Sequence, residues 1–199
     1  MSTQQVVVPL PVGPQLWRRV FTVAPLVLVG TLDPDGSPDL APKHMAMPLG
    51  WSGLFGFACT PRHSTYGNAV ARGAFTVSFP TPAQVVAAGL AATAREADRS
   101  KPALAALATV PARTVEGVLV EGAYLFLECT LERVVDLETA SLVLGEVVTA
   151  AADERALRAD DADDADLLHA VPLLAYLAPG RFAEIHDSRS FPFPADFHV

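Results

Sequence analysis

The stretch YLFLECTLERVV, residues 124–135, alternates apolar and polar side chains through its middle, from Leu127 to Glu132. Leu125 and Leu127 fall on one face, and Glu128 and Glu132 fall on the other. A period of two residues is that of a β-strand with one face buried and one face exposed to solvent. The stretch therefore predicts a long, half-exposed antiparallel strand.

A second strand of similar length follows at once. Residues 136–140 read as a turn, and SLVLGEVVTA, residues 141–150, returns as the partner strand, with Gly145 as a candidate bulge. The remaining predicted strands are 26–31, 38–41 across the Asp33–Gly36 turn, 53–59, 75–79, 173–177 and 181–185.

Predicted helices are few. Thr81-Pro82-Ala83-Gln84 is typical of a capping box and predicts a helix from Val85 to about Ala92, and residues 102–109 predict a shorter helix after a charged loop. Many strands with few, short helices indicate a mainly β fold, an antiparallel barrel rather than βαβ units. At 199 residues, the chain fits one domain over residues 1–199.

Composition limits the partners and the compartment. Hydrophobic residues make up 51% of the chain and mean hydropathy is +0.32, which predicts apolar surface buried in a homodimer. The net charge of −8 opposes binding to nucleic acid. Prolines and glycines interrupt every long uncharged stretch and the N-terminus lacks a secretory pattern, so we expect no membrane span and a cytoplasmic protein.

Several kinds of site lack their sequence signature. No dinucleotide-binding, P-loop or nucleophile-elbow motif occurs, and the five histidines lack zinc-site spacing. Cys59 and Cys129 read as buried thiols rather than a disulfide. The acidic tract around residues 160–166 reads as a solvated segment.

One polar segment between predicted strands is rich in hydrogen-bond donors: Arg62, His63, Ser64 and Thr65 stand together. Residues 66–72 can form a short helix ended by Gly73, with Ser64 or Thr65 as its N-cap. Free amides at a helix start, a guanidinium and hydroxyls are what a phosphate dianion requires. The alternative is an ordinary cap beside a surface arginine.

Several segments, taken in order, resemble the flavin reductase-like, FMN-binding split-barrel family. They are PLVLVGTLDPDGSPDLAPKHMAM, the R-H-S-T-x-x-N-x-x-x-x-G-x-F-T-V-S stretch, EGAYLFLECTLERVV, LGEVV and PLLAYLAPGRFAEI. The resemblance implies a six-stranded antiparallel split β-barrel and a homodimer with FMN near the interface. It also implies hydride transfer from NAD(P)H to flavin.

The resemblance also implies a set of cofactor-binding residues. The segment expected to hold the FMN phosphate contains Arg62, His63, Ser64, Thr65 and Asn68. The ribityl chain and the flavin ring are expected beside Lys43, His44 and Met45. Cys59 and Thr60 are expected close to them. The chain departs from the family where it has Lys43-His44-Met45 instead of small hydroxyl residues, and GWSG instead of a paired proline.

No catalytic side chain is expected, because a flavin itself accepts the hydride. The first hypothesis is an NAD(P)H:flavin oxidoreductase, with a flavin-using monooxygenase as a candidate recipient of reduced flavin. A flavin, deazaflavin or haem binder without NAD(P)H turnover is the alternative, and a cofactor-free dimeric scaffold is the third. The aromatic tail, residues 186–199, is expected to pack on the barrel or on a partner subunit.

Overall fold

The computed structural model describes residues 5–13, 15–158 and 164–194, and most of its regular structure is antiparallel strand. Three aspartates of the acidic tract, Asp160, Asp161 and Asp163, and residues 195–199 of the aromatic tail lie outside the described residues.

Within the described residues the strands are β1 (Thr22–Pro25), β2 (Val27–Leu32), β3 (Pro38–Lys43), β4 (Ala46–Pro48), β5 (Leu54–Cys59), β6 (Ala74–Phe79), β7 (Thr109–Pro111), β8 (Val118–Val120), β9 (Leu125–Asp136), β10 (Ser141–Ala152), β11 (Leu173–Ala178) and β12 (Arg181–Ile185). The α-helices are α1 (Ser64–Arg72), α2 (Val85–Leu90) and α3 (Leu167–Ala170). Short 3-10 turns cover Leu16–Arg18, Pro82–Gln84, Pro102–Ala106, Glu154–Ala156 and Asp164–Asp166.

A curled antiparallel sheet dominates the molecule, with strand order β3-β2-β6-β9-β10-β5-β4. The β9–β10 hairpin is its longest part, as the alternation in residues 124–135 predicts. The pairing shifts register at Gly145, which confirms the predicted bulge. A side chain could not fit there, because a Cβ on Gly145 would lie 2.5 Å from the ring of Phe75.

The predicted mainly β split-barrel class is confirmed, but the count of six strands is wrong. The large sheet has seven strands, because Ala46–Pro48 adds a short edge strand to β5. A separate three-stranded sheet has the order β1-β11-β12, and β7 pairs with β8. Three-residue edge strands such as β4 carry too few residues to show an alternation in sequence.

The core has two parts because β2 is buried on both faces. Val27, Val29, Phe57 and Phe75 pack inside the curled sheet with Cys129. A second cluster lies on the other face of the sheet, where α2 covers Leu28 and Leu40; its buried members are Leu28, Leu40, Ala88, Ala91, Leu107 and Val120. This packing places α2 and the chain after it beside the end of β3.

The two cysteines lie in the core as predicted. Cys59 and Cys129 are buried free thiols, and burial raises the pKa of Cys129 to about 12. A thiol in that state is inert as a nucleophile at neutral pH.

The predicted helices are present with shifted ends. The capping box of Thr81 and Gln84 is confirmed, but a 3-10 turn opens the helix and α2 ends at Leu90 rather than near Ala92. The expected helix over 102–109 is only a 3-10 turn, and Thr109 already belongs to β7. Among the described residues, the longest helix is α1 with nine residues, and none has the length and hydropathy of a membrane span.

Candidate functional site

The start of α1 is the centre of the donor-rich segment. The expected N-cap at Ser64 or Thr65 is wrong: the helix begins at Ser64, and His63 is the capping residue, with φ −82° and ψ 142°. The chain at His63 is therefore still extended, and no side chain caps the helix. Gly73 ends α1 with φ 65°, as predicted, because glycine adopts this left-handed conformation without strain.

Two side chains of α1 face inward and fix the helix to the β2–β3 hairpin. The Thr65 hydroxyl donates to Asp39 Oδ2 at 3.1 Å. The Asn68 amide donates to Thr31 Oγ1 at 3.2 Å and to Asp33 Oδ1 at 2.9 Å. These bonds occupy the Asn68 donors inside the protein, so we assign Asn68 to positioning α1.

A cleft of about 480 Å³ lies where the end of β3, the start of α1 and the chain after α2 meet. Its lining combines polar and cationic side chains with a short run of alanines. The lining residues are Asp39, Ala41, Pro42, Lys43, Arg62, His63, Ser64, Thr65, Ala91, Ala92, Thr93, Ala94, Arg95 and Lys101.

Four cationic side chains line this cleft, and two of them hold carboxylates. Arg95 Nη2 lies 2.8 Å from Asp33 Oδ2 and 2.8 Å from Asp39 Oδ1. Lys101 Nζ donates to the Leu40 carbonyl at 2.9 Å and lies 3.8 Å from Asp39 Oδ1. These contacts fasten the segment after α2 to the hairpin.

The other two cations are Lys43 and Arg62. Within the part of the chain that the structure describes, neither makes an ion pair or a side-chain hydrogen bond. The main-chain N–H groups of Ser64 and Thr65 likewise find no acceptor among the described residues, as expected in the first turn of a helix. The cleft therefore presents charge and donors that the protein itself does not use.

The positive charge of the cleft affects its titratable groups. Burial, and then the charges of Lys43 and Arg62, lower the pKa of His63 below its ordinary value. Burial also lowers the pKa of Lys101, although Asp39 opposes that shift. An anion in the cleft would favour the protonated form of both groups.

The cleft suits a phosphate dianion. Its four cations face the carboxylates of Asp39 and Asp33, which leaves two positive charges uncompensated. Unused amides at a helix start and the Ser64 hydroxyl add directional donors.

The structure brings together only part of the predicted site. Five of the predicted residues line the cleft: Lys43, Arg62, His63, Ser64 and Thr65. His44 lies in an adjoining pocket, where its ring stacks on Tyr176 at 4.5 Å between centroids. The others line neither space: Met45 is exposed, Cys59 is in the core, Thr60 follows it, and Asn68 is bonded as described.

Sequence reasoning missed three charged residues of the cleft, Asp39, Arg95 and Lys101. Arg95 and Lys101 bound the charged run that reads as a loop, more than 50 positions after Asp39. The charges of Arg95 and Lys101 are visible in the sequence, but only the folded chain places them beside β3.

Several solved structures share this fold. The chain is similar to nitrilotriacetate monooxygenase component B from Bacillus cereus, with 19% identity, a TM-score of 0.79, and coverage of 94% of this chain and 100% of that one. Flavoredoxin of Desulfovibrio vulgaris matches with 24% identity, a TM-score of 0.75, and coverage of 89% and 95%. The NADH:FAD oxidoreductase of Streptomyces globisporus matches with 19% identity, a TM-score of 0.70, and coverage of 89% and 98%.

At these identities the structural likeness establishes the fold and leaves the ligand to be argued from the site. The family itself follows from the sequence match, which extends over most of the chain. The family model described as a flavin reductase like domain matches residues 18–184, and the chain belongs to that family.

Proposed function

We propose that the protein is an FMN-binding oxidoreductase that transfers a hydride from NAD(P)H to flavin. The observation that carries the proposal is the cleft at the start of α1, whose free donors and net positive charge match a terminal phosphate. Membership of the flavin reductase-like family supports flavin binding and oxidoreductase chemistry. FMN as the bound flavin and NAD(P)H as the hydride donor are the specific parts of this proposal.

The cleft residues have different roles in phosphate binding. The guanidinium of Arg62 and the amides of Ser64 and Thr65 would hold the phosphate oxygens, and Lys43 would add charge from the end of β3. Arg95 and Lys101 partly offset the charge of Asp39, which reduces the repulsion between its carboxylate and the phosphate. Thr65 and Asn68 hold α1 in register with the hairpin.

Flavin, when bound, supplies the hydride acceptor, which agrees with the absence of a catalytic triad in the sequence. The protein then has to position and shield the ring. We place the ring beside Lys43, His44 and Met45, where the chain leaves β3, with Cys59 and Thr60 near its edge. A lysine beside the ring would favour the anionic reduced form.

The proposal extends to assembly and partners. Large exposed apolar side chains support a homodimer. The proposed enzyme is cytoplasmic. Similarity to a monooxygenase component supports a flavin-using partner enzyme as the recipient of reduced flavin. Similarity to an NADH:FAD oxidoreductase makes FAD the competing flavin, so both are included in the test.

The test is an anaerobic titration. The purified protein is reconstituted separately with FMN and with FAD, freed of excess flavin, and mixed with NADH or NADPH while the visible spectrum is recorded. We expect a yellow FMN complex that the nicotinamide bleaches faster than it bleaches free FMN.

Other outcomes would select the alternatives. A yellow protein that neither nucleotide bleaches would contradict the reductase and favour a binding protein. Tighter retention of FAD than of FMN would show that FAD, not FMN, is the bound flavin. A colourless protein whose melting temperature is the same with and without either flavin would leave only a scaffold.

A further inference from the structure

A second groove, of about 620 Å³, adjoins the cleft along the segment that follows α2. Residues of the β2–β3 turn, from Asp33 to Pro38, form one wall of this groove, and residues 98–101 form much of the other. Arg95 and Lys101 line both the groove and the cleft, and among the described residues the two spaces share no other lining residue. These two side chains therefore form the partition between the groove and the cleft.

Side chains alone hold this partition in place. Within the part of the chain that the structure describes, the main-chain hydrogen bonds of residues 92–100 stay within the segment or reach back to α2, and none joins the sheet. Arg95 Nη2 crosses to the hairpin and lies 2.8 Å from both Asp33 Oδ2 and Asp39 Oδ1. Arg95 Nη1 donates to the Arg99 carbonyl at 2.7 Å, on its own segment. The guanidinium thus ties the segment to the β2–β3 hairpin.

The position of this tie bears on which flavin the cleft accepts. FMN ends at its phosphate, whereas FAD continues from that phosphate through a second one to adenosine. The groove on the other side of the tie is large enough for a nucleoside. An adenylate that extends from the cleft into this groove has to displace the Arg95 guanidinium from two buried carboxylates. Such charge-assisted contacts are costly to break, because the carboxylates left behind lose their compensation.

We propose that Arg95 is a specificity-determining residue, which restricts the cleft to FMN by closing the passage that the adenylate of FAD would need. This inference rests on the proposed function, because it takes the flavin phosphate to lie at the start of α1. FMN carries a phosphate of about two negative charges and FAD carries two singly charged phosphates. The two flavins therefore bring nearly equal charge to the cleft, and the discrimination is by space.

The test compares the dissociation constants of FMN and FAD by calorimetry. We expect the wild type to bind FMN roughly tenfold more tightly than FAD, because the adenylate breaks charge-assisted contacts when it enters. Arg95→Ala opens the passage and should bring the two constants within about threefold of each other. The ratio of the constants is the readout, since the loss of one cation weakens both ligands alike.

Two further variants separate this role from general effects of charge and folding. Arg99→Ala removes an exposed arginine of the same segment, whose side chain has no ion pair or hydrogen bond among the described residues, and it should keep the wild-type ratio. Arg95→Lys keeps the charge and spares the fold, but one ammonium cannot replace the planar fork that serves both aspartates and the Arg99 carbonyl. We expect Arg95→Lys to give an intermediate ratio.

A double variant tests where the adenylate goes. Ser37 is exposed and lines the groove but not the cleft, so Ser37→Trp added to Arg95→Ala should fill the groove and restore the preference for FMN. Thr139→Trp, in the exposed turn between β9 and β10, is the control in the same background. It should leave FAD binding as it is in Arg95→Ala.

Several results would overturn the proposal. FMN binding with a ratio that Arg95→Ala leaves unchanged, or equal affinity of the wild type for both flavins, would overturn it alone and leave the proposed function standing. FAD binding that survives the added Ser37→Trp would do the same. Tighter binding of FAD by the wild type would overturn it together with the assignment of FMN, and a wild type that binds neither flavin would overturn it together with the whole proposed function.

Discussion

Asp39 is the buried carboxylate around which the cleft is built. It is 2% exposed, receives the hydroxyl of Thr65 and lies between Arg95 and Lys101. A buried carboxylate with several partners is costly to disrupt, because the charges left behind lose their compensation. The same carboxylate opposes an incoming anion.

Asp39→Asn is therefore expected to have opposite effects on stability and on ligand affinity. The free energy of unfolding should fall by about 3 kcal/mol, because Arg95 and Lys101 lose a buried anion. The affinity of the folded variant for FMN should rise roughly threefold, because the cleft gains net positive charge. Urea unfolding and FMN titration measure the two quantities.

The control for this prediction is Asp98→Asn, which removes an exposed carboxylate on the same segment. It should change neither quantity appreciably. A loss of FMN affinity in well-folded Asp39→Asn would show that Asp39 serves binding directly and would contradict this account.

At the level of residues, the sequence predicts those cleft groups that stand close together in the chain. Arg62, His63, Ser64 and Thr65 are adjacent, so their donors are visible as a cluster. The directions in which these side chains point cannot be predicted from the sequence. Thr65 turns inward because Asp39 offers a buried acceptor, and Asn68 turns inward because Thr31 and Asp33 do, contacts that join residues 26 to 37 positions apart.

At the level of elements, β9 carries a carboxylate that organises the loop before β8. Glu128 is 3% exposed, and its carboxylate accepts main-chain N–H groups of Arg113, Thr114 and Val115 at 2.6 to 3.1 Å. Burial alone would raise the pKa of Glu128, but these N–H donors outweigh it and hold the pKa below its ordinary value. A lowered pKa in the folded state means that the ionised form stabilises the fold.

The lowered pKa of Glu128 determines how its contribution to stability depends on pH. The contribution of Glu128 is fully present above the unfolded-state pKa, near 4.5, and is lost as pH falls through the lower folded-state pKa. Glu128→Gln should lower the free energy of unfolding by about 2 kcal/mol at neutral pH, because an amide cannot accept all of these donors. The difference from wild type should shrink as pH falls below about 4.

Urea unfolding between about pH 3 and pH 7 measures this difference. Glu132→Gln, an exposed change four residues further along β9, is the matched control and should follow the wild type at every pH. A constant difference between Glu128→Gln and wild type across this range would contradict the assigned role.

Elements with a strong local pattern could be predicted from the sequence, and elements defined by their partner could not. The alternation of residues 124–135 predicts β9, and the capping box predicts the start of α2. β4 and β1 are short edges that exist because β5 and β11 offer them hydrogen bonds. The N-cap of α1 lies one or two residues before the predicted position, because His63 remains extended without any capping side chain.

At the level of the whole molecule, an apolar surface surrounds β1 and β4, which pack beside each other. We call it the β1/β4 surface; it consists of Phe21, Val23, Met45 and Met47, which are 55 to 71% exposed. Four large apolar side chains exposed together favour burial against another subunit. The sequence composition predicts this burial in general terms but not its place.

We expect the protein to be a dimer whose interface includes this surface. Met47→Asp should shift it to monomer in sedimentation velocity, because an unpaired carboxylate at an interface costs several kcal/mol. Val135→Asp, which adds the same charge at an exposed valine of β9, should remain dimeric. A monomeric wild type, or a fully dimeric Met47→Asp variant, would contradict the expectation.

The described part of the aromatic tail also exposes large apolar side chains. Phe191 and Phe193 stack on each other at 4.6 Å between centroids but stay largely exposed on the single chain. Packing of this tail on a partner subunit remains a prediction, and it agrees with the dimer.

The central claim is that the cleft at α1 holds the phosphate of FMN. The most direct measurement is the affinity of wild type, Arg62→Ala and the control Arg133→Ala for FMN and for riboflavin, which lacks the phosphate. We predict that Arg62→Ala weakens FMN binding roughly tenfold, as expected for a charge-assisted contact that is partly exposed to solvent, and leaves riboflavin binding unchanged. Equal affinity of Arg62→Ala and wild type for FMN, or an equal loss for both ligands, would contradict the claim.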